Sequence, residues 1–461
     1  MIEKAMRYRL TNKSTVGFLL TLLFCSSFIS FALAFGGIKY VYQRSACRAY
    51  RNNCQLLSPK ELLMSKDSDS EEKNKSQTNG DNFFRKFELF DNVVDEKQLS
   101  QKEKARLRRL EVEKGEMRRQ MQVRKDAVLY FALFGLQFLP IINELSPFVG
   151  LFYFLGMACI TVYVAARQET IDTSELINEK NALFAPIGAS ISLLTIYTFL
   201  KFGIDPTNAY AIIVTVFGAL SVSDIGVPIL RNLCPPKFYE TRVPIPSKLA
   251  NVLEIEPFLP LDGLITLFIG VISSIYYWLP TAMTQKFIIS NIIAWSIAMV
   301  SLGSISFGSF QTAAILLGGL FLYDVYFVYF SDAMMTVATK VEAPIKFIYP
   351  NLSSSVQDYP FSVLGLGDVV VPGLFVRFMN QVDKTLKPEK VSYLNVASVA
   401  YFVALSVCFY VNKVTNSGQP ALFFLDPTLI GSALVASNVN GQFQDVWTYR
   451  EEKESTNKGK R

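Results

Sequence analysis

Runs of about 20 apolar residues recur along most of this 461-residue chain, and they constrain its fold more than any other feature. A helix needs roughly 20 mostly apolar residues to cross the hydrocarbon core of a bilayer. Hydrophobic residues make up 51% of the chain and charged residues 18%, which is too apolar for an ordinary soluble domain. The sequence therefore predicts an all-α polytopic membrane protein. The apolar windows cover residues 16–40, 127–143, 148–166, 182–204, 208–230, 258–279, 287–305, 310–330, 361–379, 391–411 and 420–437.

The last nine windows follow one another with short connectors and predict a nine-helix core, preceded by up to two additional apolar segments. The first segment, residues 16–40, has two interpretations. It is either a spanning helix or a signal peptide with an A-x-A cleavage site at Ala32-Leu33-Ala34. In the first case residues 127–143 also span the membrane, and in the second they lie at its surface. We favour the spanning interpretation because basic residues directly precede Ala127.

Three regions follow from these windows. Residues 1–126 combine the first apolar segment with a polar stretch that is predicted to be largely disordered, because it is too poor in apolar residues to form a core. The basic run at its end, residues 102–125, is either a solvated charged helix or a helix near lipid headgroups. Residues 127–437 form the predicted transmembrane core, and residues 438–461 form a charged tail.

The distribution of Lys and Arg predicts the orientation of the chain. The tail contains Arg450, Lys453, Lys458, Lys460 and Arg461, which indicates a cytosolic C-terminus. Counting back from the tail places residues 331–360, with a glycosylation sequon at Asn351, on the lumenal side. The net charge of +6 lies mostly in loops, so it indicates orientation and does not predict nucleic-acid binding.

Histidine is absent from the chain, and this excludes several kinds of active site. Ser-His and Cys-His nucleophile pairs and H-E-x-x-H zinc sites all need an imidazole. The six cysteines are scattered without C-x-x-C spacing, so the sequence predicts no metal and no cofactor. Cys47 and Cys54 could form a disulfide in an oxidising lumen, although free thiols are favoured.

Ionisable side chains inside apolar windows need an explanation, because each costs roughly 2.5 to 3.5 kcal/mol on insertion scales. Asp224, Asp262 and Arg377 lie near window ends, where snorkelling or helix capping is sufficient. Asp324 and Asp368 lie in the interior of two windows that run in opposite directions. Two neighbouring carboxyls do not both ionise readily, so one can act as a base while the other acts as an acid. The pair is therefore the candidate catalytic machinery for hydrolysis of a peptide bond.

Two further elements accompany the acids. Gly365 and Gly367 flank Leu366 just before Asp368, and without side chains they allow another backbone to approach or allow a helix to fray. A Gln-Pro-Ala-Leu sequence opens the last window, where the proline suits the first turn of a helix. Together these elements form three short motifs on three late windows: Tyr323-Asp324, Gly365-Leu366-Gly367-Asp368 and Gln419-Pro420-Ala421-Leu422.

These motifs resemble the YD, GxGD and PAL motifs of the presenilin and signal peptide peptidase family of intramembrane aspartyl proteases. The resemblance covers roughly residues 148–437 and is nearer to the signal peptide peptidase branch, because of three flanking sequences. They are Ile315-Leu316-Leu317-Gly318-Gly319-Leu320, Glu342-Ala343-Pro344-Ile345-Lys346 and Asp368-Val369-Val370-Val371-Pro372-Gly373.

The resemblance implies a presenilin-like fold of nine helices and an aspartic endopeptidase with Asp324 and Asp368 as its catalytic pair. It implies that Tyr323, the glycine motif and the Gln419-to-Leu422 turn support the active site. The implied substrates are type II transmembrane segments, including signal peptides left in the endoplasmic reticulum membrane. The implied partners are degradation machinery of that membrane and further copies of the chain.

Two features depart from the family pattern. The segment before residue 148 has no recognised counterpart. Asp426 occupies a position in the last window where an apolar residue is expected, and it either influences the acid pair electrostatically or faces a polar crevice.

Two other functions compete with proteolysis. Intramembrane carboxylates also serve proton pathways, so a transporter with Asp324 and Asp368 as a relay is one alternative. A scaffold in membrane-protein quality control is the other. Ion transport has no special need for a glycine-flanked acid together with Gln-Pro-Ala-Leu on a third segment, and the intact acids argue against a scaffold.

Overall fold

The computed structural model describes residues 115, 118–142, 149–168, 175–203, 207–235, 238, 241–244, 258–279, 283–341, 343–350, 361–415 and 418–451. The predictions for residues 16–40, for Cys47 and Cys54, and for the sequon at Asn351 lie outside the described residues.

Long helices make up most of the described chain. The helices are α1 (Ala127–Phe138), continued by a 3-10 helix (Leu139–Ile142), α2 (Val149–Arg167), α3 (Glu179–Lys201), α4 (Thr207–Leu233), α5 (Leu261–Trp278), α6 (Met283–Ser304), α7 (Phe310–Tyr329), α8 (Ala333–Lys340), α9 (Gly367–Leu386), α10 (Tyr393–Thr415), α11 (Ala421–Asn440) and α12 (Phe443–Trp447). The strands are β1 (Glu175–Ile177), β2 (Arg242–Pro244), β3 (Phe258–Pro260), β4 (Ile305–Phe307), β5 (Lys346–Pro350) and β6 (Phe361–Gly365).

Eight of these helices are long and apolar enough to cross a membrane: α2 to α7, α10 and α11. With α9 they form the predicted set of nine, and the all-α polytopic fold is confirmed. Helix α9 is less apolar because it carries several ionisable side chains, yet nearly all of its residues from Val369 to Val382 are buried. It packs against α2, α6, α10 and α11, so its neighbours are protein, and lipid does not select its composition.

Arg377 shows how α9 uses its polar residues. The prediction that it snorkels from a window end is wrong, because the side chain lies mid-helix and is 1% exposed. Its guanidinium donates hydrogen bonds to the carbonyl oxygens of Ala165 (3.0 Å) and Gly303 (3.4 Å), at the ends of α2 and α6. The last carbonyls of a helix have no partner within the helix, so a buried donor there stabilises two helix ends at once.

Two ion pairs, each with at least one buried partner, attach the segment before α2 to the core. Residues 118–125 are helical, and Arg119 binds Asp224 of α4 at 2.8 Å. At the C-terminal end of the same helical segment, Asp126 pairs with Arg167 of α2 at 3.0 Å. Helix α1 then runs antiparallel to α2. One face of this part of the basic run packs against protein through Arg119 and Val123, whereas Arg118, Arg124 and Lys125 are exposed.

The strands in the described part of the chain form three two-stranded sheets between the helices. β1 pairs with β4 in parallel, and β2–β3 and β5–β6 are antiparallel pairs. The last pair corrects one prediction, since the window 361–379 is not one continuous helix. Its first five residues form β6, with Gly365 opposite Lys346, and the helix begins only at Gly367. Pairing with β5 satisfies the backbone of this apolar run, so the run does not need helical hydrogen bonds.

Candidate active site

Asp324 lies in the last third of α7 and points into the protein. The Ser309 side chain caps the start of this helix by accepting a hydrogen bond from the Thr312 N–H at 3.1 Å. Asp324 is 2% exposed, and its Oδ2 accepts a hydrogen bond from the Leu422 backbone N–H at 2.9 Å. Leu422 is the second residue of α11, where backbone N–H groups lack a partner within the helix. The start of α11 therefore orients the Asp324 carboxyl.

Asp368 is the second residue of α9 and is half-buried. The β5–β6 hairpin fixes its position, because the Leu366 N–H donates to the Ile345 carbonyl oxygen at 3.0 Å just before the helix begins. Leu366 itself is buried. The strand therefore delivers the chain into α9 with the acid in the first turn.

The two glycines before Asp368 do not accommodate a neighbouring backbone among the described residues. A Cβ at Gly365 would meet the Asp368 Oδ2 at 3.6 Å, an ordinary contact, and one at Gly367 would meet nothing within 4 Å. Gly367 is exposed and faces open space, so no backbone among the described residues occupies the room that it leaves. Gly365 ends a strand, so it does not loosen a helix either.

The fold brings the two acids together although they lie 44 positions apart in the sequence. Helices α7 and α9 contact each other, and both pack against α11. The two carboxyls lie within electrostatic range of each other. In the described part of the chain no Lys or Arg forms a salt bridge with either acid. Among the described residues, the two carboxyls thus share a partly closed site without a neutralising cation.

The other motif residues surround this pair at different distances. Tyr323 is half-buried, lies within electrostatic range of both acids and packs its ring on Phe327. The hydrogen bonds of Gln419 to described residues lead away from the acids: its Oε1 accepts from the Tyr329 hydroxyl at 2.7 Å, and its Nε2 donates to Thr415 Oγ1 at 3.0 Å. It joins the ends of α7 and α10. Pro420 and Ala421 are buried where α11 begins, so the motif acts on Asp324 through the Leu422 N–H.

Helix α10 contributes two neighbours that the sequence does not reveal. The Tyr401 hydroxyl lies 3.5 Å from the backbone oxygen of Asp368, and Cys408 lies within electrostatic range of both acids. Both side chains are buried. They belong to no motif in an evenly apolar window, and only the packing of α10 against α9 and α11 brings them close.

Comparisons with known proteins identify the family of this chain. The family model described as "Signal peptide peptidase" matches residues 168–453, which include all three motifs. The signal peptide peptidase of Homo sapiens is 28% identical over 299 residues, covering 63% of this chain and 78% of that protein. A probable intramembrane protease of Schizosaccharomyces pombe is 29% identical over 308 residues, covering 64% of this chain and 93% of that protein. Because the family model spans more than half of its length, the chain belongs to the signal peptide peptidase family of intramembrane proteases.

Proposed function

We propose that this protease is an aspartic endopeptidase in which Asp324 and Asp368 cleave the substrate. The observation that carries the proposal is the meeting of two carboxyls from separate helices, one of which accepts a hydrogen bond from the start of a third helix. Neither acid has a salt-bridge partner in the described residues, so neither is committed to a structural ion pair. The transporter and scaffold alternatives receive no support from the relatives, which are named as proteases.

The chemistry needs only the two acids and a water molecule. One carboxylate takes a proton from water as the water oxygen attacks the peptide carbonyl carbon, and the protonated partner donates its proton to the carbonyl oxygen. The resulting diol then loses a hydroxyl proton to the pair as the C–N bond breaks, and the pair protonates the leaving amine. Protons are exchanged within the pair, so no other acid or base is required.

The surroundings of Gly367 support access for an unwound peptide. Backbone hydrogen bonds hold the peptide groups of a helix in place, so a substrate helix has to unwind locally before its peptide carbonyl can be attacked. Gly367 is exposed with open space where a side chain would lie, directly beside Asp368. This opening is the place where we expect the substrate backbone to reach the acids.

The proposed substrates are type II transmembrane segments, including remnant signal peptides in the endoplasmic reticulum membrane. The names of the relatives and the resemblance of the motifs support this class. The basic tail after α11 supports a cytosolic C-terminus. Degradation machinery of that membrane and further copies of the chain are the proposed partners. As the protease unit we propose residues 127–437, with the last helix extended to Asn440.

Cleavage of a membrane peptide tests the proposal. Purified protein in detergent would be incubated with a helix-destabilised type II peptide, comparing wild type with Asp324→Ala and Asp368→Ala. The matched control is Asp445→Ala, which removes an exposed acid of α12. We expect cleavage by the wild type and the control and none by either site variant, with all four proteins folded. Cleavage that survives either site substitution would overturn the proposed pair.

A further inference from the structure

Asp426 is a third carboxyl beside the acid pair. It lies in α11 four residues after Leu422, which corresponds to about 6 Å along the helix. Leu422 and Asp426 share one face of α11, and the Leu422 N–H is the group that binds Asp324. Asp426 lies within electrostatic range of both Asp324 and Asp368. It therefore faces the interior of the site, about one helical turn beyond the Asp324 contact.

This side chain has no protein partner among the described residues. Asp426 is 1% exposed, and neither of its oxygens accepts or donates a hydrogen bond there. By contrast, Asp383 at the far end of α9 is bonded to the backbone N–H groups of Tyr393 and Leu394 and to the Ser392 hydroxyl. A buried carboxyl without partners lowers stability, and an apolar residue of similar shape would not. Asp426 therefore lowers the stability of the fold, and a functional role would explain why the chain has an acid here.

The charges around Asp426 limit what it can do. Its electrostatic neighbours are two other acids, and three carboxyls without a cation cannot all be ionised. A neutral carboxyl is a hydrogen-bond donor. No direct hydrogen bond joins Asp426 to the pair among the described residues, so a donor at this position needs an intervening molecule, and water can fill that role.

We propose that Asp426 is a positioning residue of the active site, donating a hydrogen bond through water to the charged member of the Asp324–Asp368 pair. This inference rests on the proposed function, because it assigns Asp426 a role in the same reaction. Its effect falls on the rate of the chemical step. Substrate binding is not expected to depend on it, since the side chain is enclosed by the protein.

The proposal predicts opposite changes in stability and activity. Replacing Asp426 by Leu removes the unpartnered polar group, so the unfolding temperature should stay unchanged or rise by about 2 °C. The same change removes a hydrogen bond toward the pair, so kcat should fall about tenfold or more while KM stays within about twofold. In Asp426→Asn the amide can still donate, so kcat should recover to within about threefold of wild type.

The experiment measures kcat, KM and the unfolding temperature of wild type, Asp426→Leu and Asp426→Asn with one type II peptide in detergent. The matched control is Thr428→Val on the same helix, whose hydroxyl bonds only the Phe424 carbonyl oxygen among the described residues and should be neutral. If Asp426→Leu does not fold, Asp426→Val replaces it. Full kcat in the folded apolar variant would overturn the proposal. The proposal would also be overturned if the Leu and Asn variants lost similar amounts of stability and similar amounts of kcat. That result would indicate a structural role for Asp426.

A parallel assay of Asp368→Asn separates the two proposals. If Asp368→Asn is inactive and the apolar Asp426 variant is fully active, only the role of Asp426 is wrong. If Asp368→Asn still cleaves the peptide, the proposed catalytic pair is wrong and the role of Asp426 is lost with it.

Discussion

Two groups of buried or half-buried acids in this protein are built in opposite ways. Asp224 and Asp262, on α4 and α5, are paired with Arg119 and Arg231 at 2.8 Å and 2.5 Å. Asp324, Asp368 and Asp426, on α7, α9 and α11, have no salt-bridge partner within the part of the chain that the structure describes. The first group joins helices, whereas the second keeps acids available to each other. In this bundle the structural acids differ from the candidate functional ones in having a cationic partner, whereas both groups are largely removed from solvent.

The largest expected effect on stability comes from Arg231→Ala. Asp262 is fully buried, and the substitution would leave its charge without this partner. Breaking a buried pair from one side typically costs about 3–5 kcal/mol. Chemical denaturation followed by circular dichroism would measure the loss.

A matched double variant sharpens this prediction. Replacing both Arg231 and Asp262 by Leu should restore most of the lost stability, because no buried charge remains. A double variant as unstable as Arg231→Ala would show that packing of the arginine, and not its charge, holds α4 to α5.

Arg119→Ala should have a smaller effect, about 2 kcal/mol, because both partners of this pair are about 10% exposed and the charge left behind is partly solvated. Limited proteolysis near residues 118–126 should speed up as this segment loosens. The rate of peptide cleavage per folded molecule should stay near that of wild type. A complete loss of activity with an intact fold would mean that this ion pair belongs to the active site.

Asp324→Asn should change stability by about 1 kcal/mol or less, because the amide oxygen can still accept the Leu422 N–H. Cleavage should nevertheless be lost, because an amide cannot take a proton from water. The unfolding transition and the cleavage rate would be measured on the same preparation. A stability loss as large as that of Arg231→Ala would show that Asp324 is a structural acid, and the distinction between the two groups would be wrong.

The smallest effect is expected for Glu179→Ala. This acid pairs with Arg450 at 3.8 Å, and both side chains are largely exposed. Exposed ion pairs contribute little because water screens them. Neither the unfolding temperature nor the cleavage rate should change measurably, which makes this variant a control for the buried pairs.

The sequence predicts the fold well where hydropathy decides it. Each of the nine core windows corresponds to a long helix, because a spanning segment has to be apolar over a fixed length. Hydropathy does not distinguish an apolar strand from an apolar helix, so β6 was predicted as the start of α9. The burial of Arg377 could not be predicted either, since it depends on which helices surround α9.

The candidate site, like the fold, can be predicted from the sequence only in part. Asp324 and Asp368 stand out in the sequence because a carboxyl in an apolar window is costly. Their meeting depends on the packing of α7, α9 and α11, and the hydrogen bond from Leu422 depends on where α11 begins. Tyr401 and Cys408 carry no sequence signal at all, because their proximity to the acids arises only from tertiary packing.

We expect Asp324 and Asp368 to act together in the cleavage step, and a double-mutant comparison tests this most directly. Single-turnover cleavage rates of one type II peptide would be measured for wild type, Asp324→Asn, Asp368→Asn and the double variant. Residues that act as a unit give strongly non-additive losses. We predict that each single variant is as inactive as the double variant. Separate partial losses that multiply in the double variant would contradict the account, because they would show two acids that work independently.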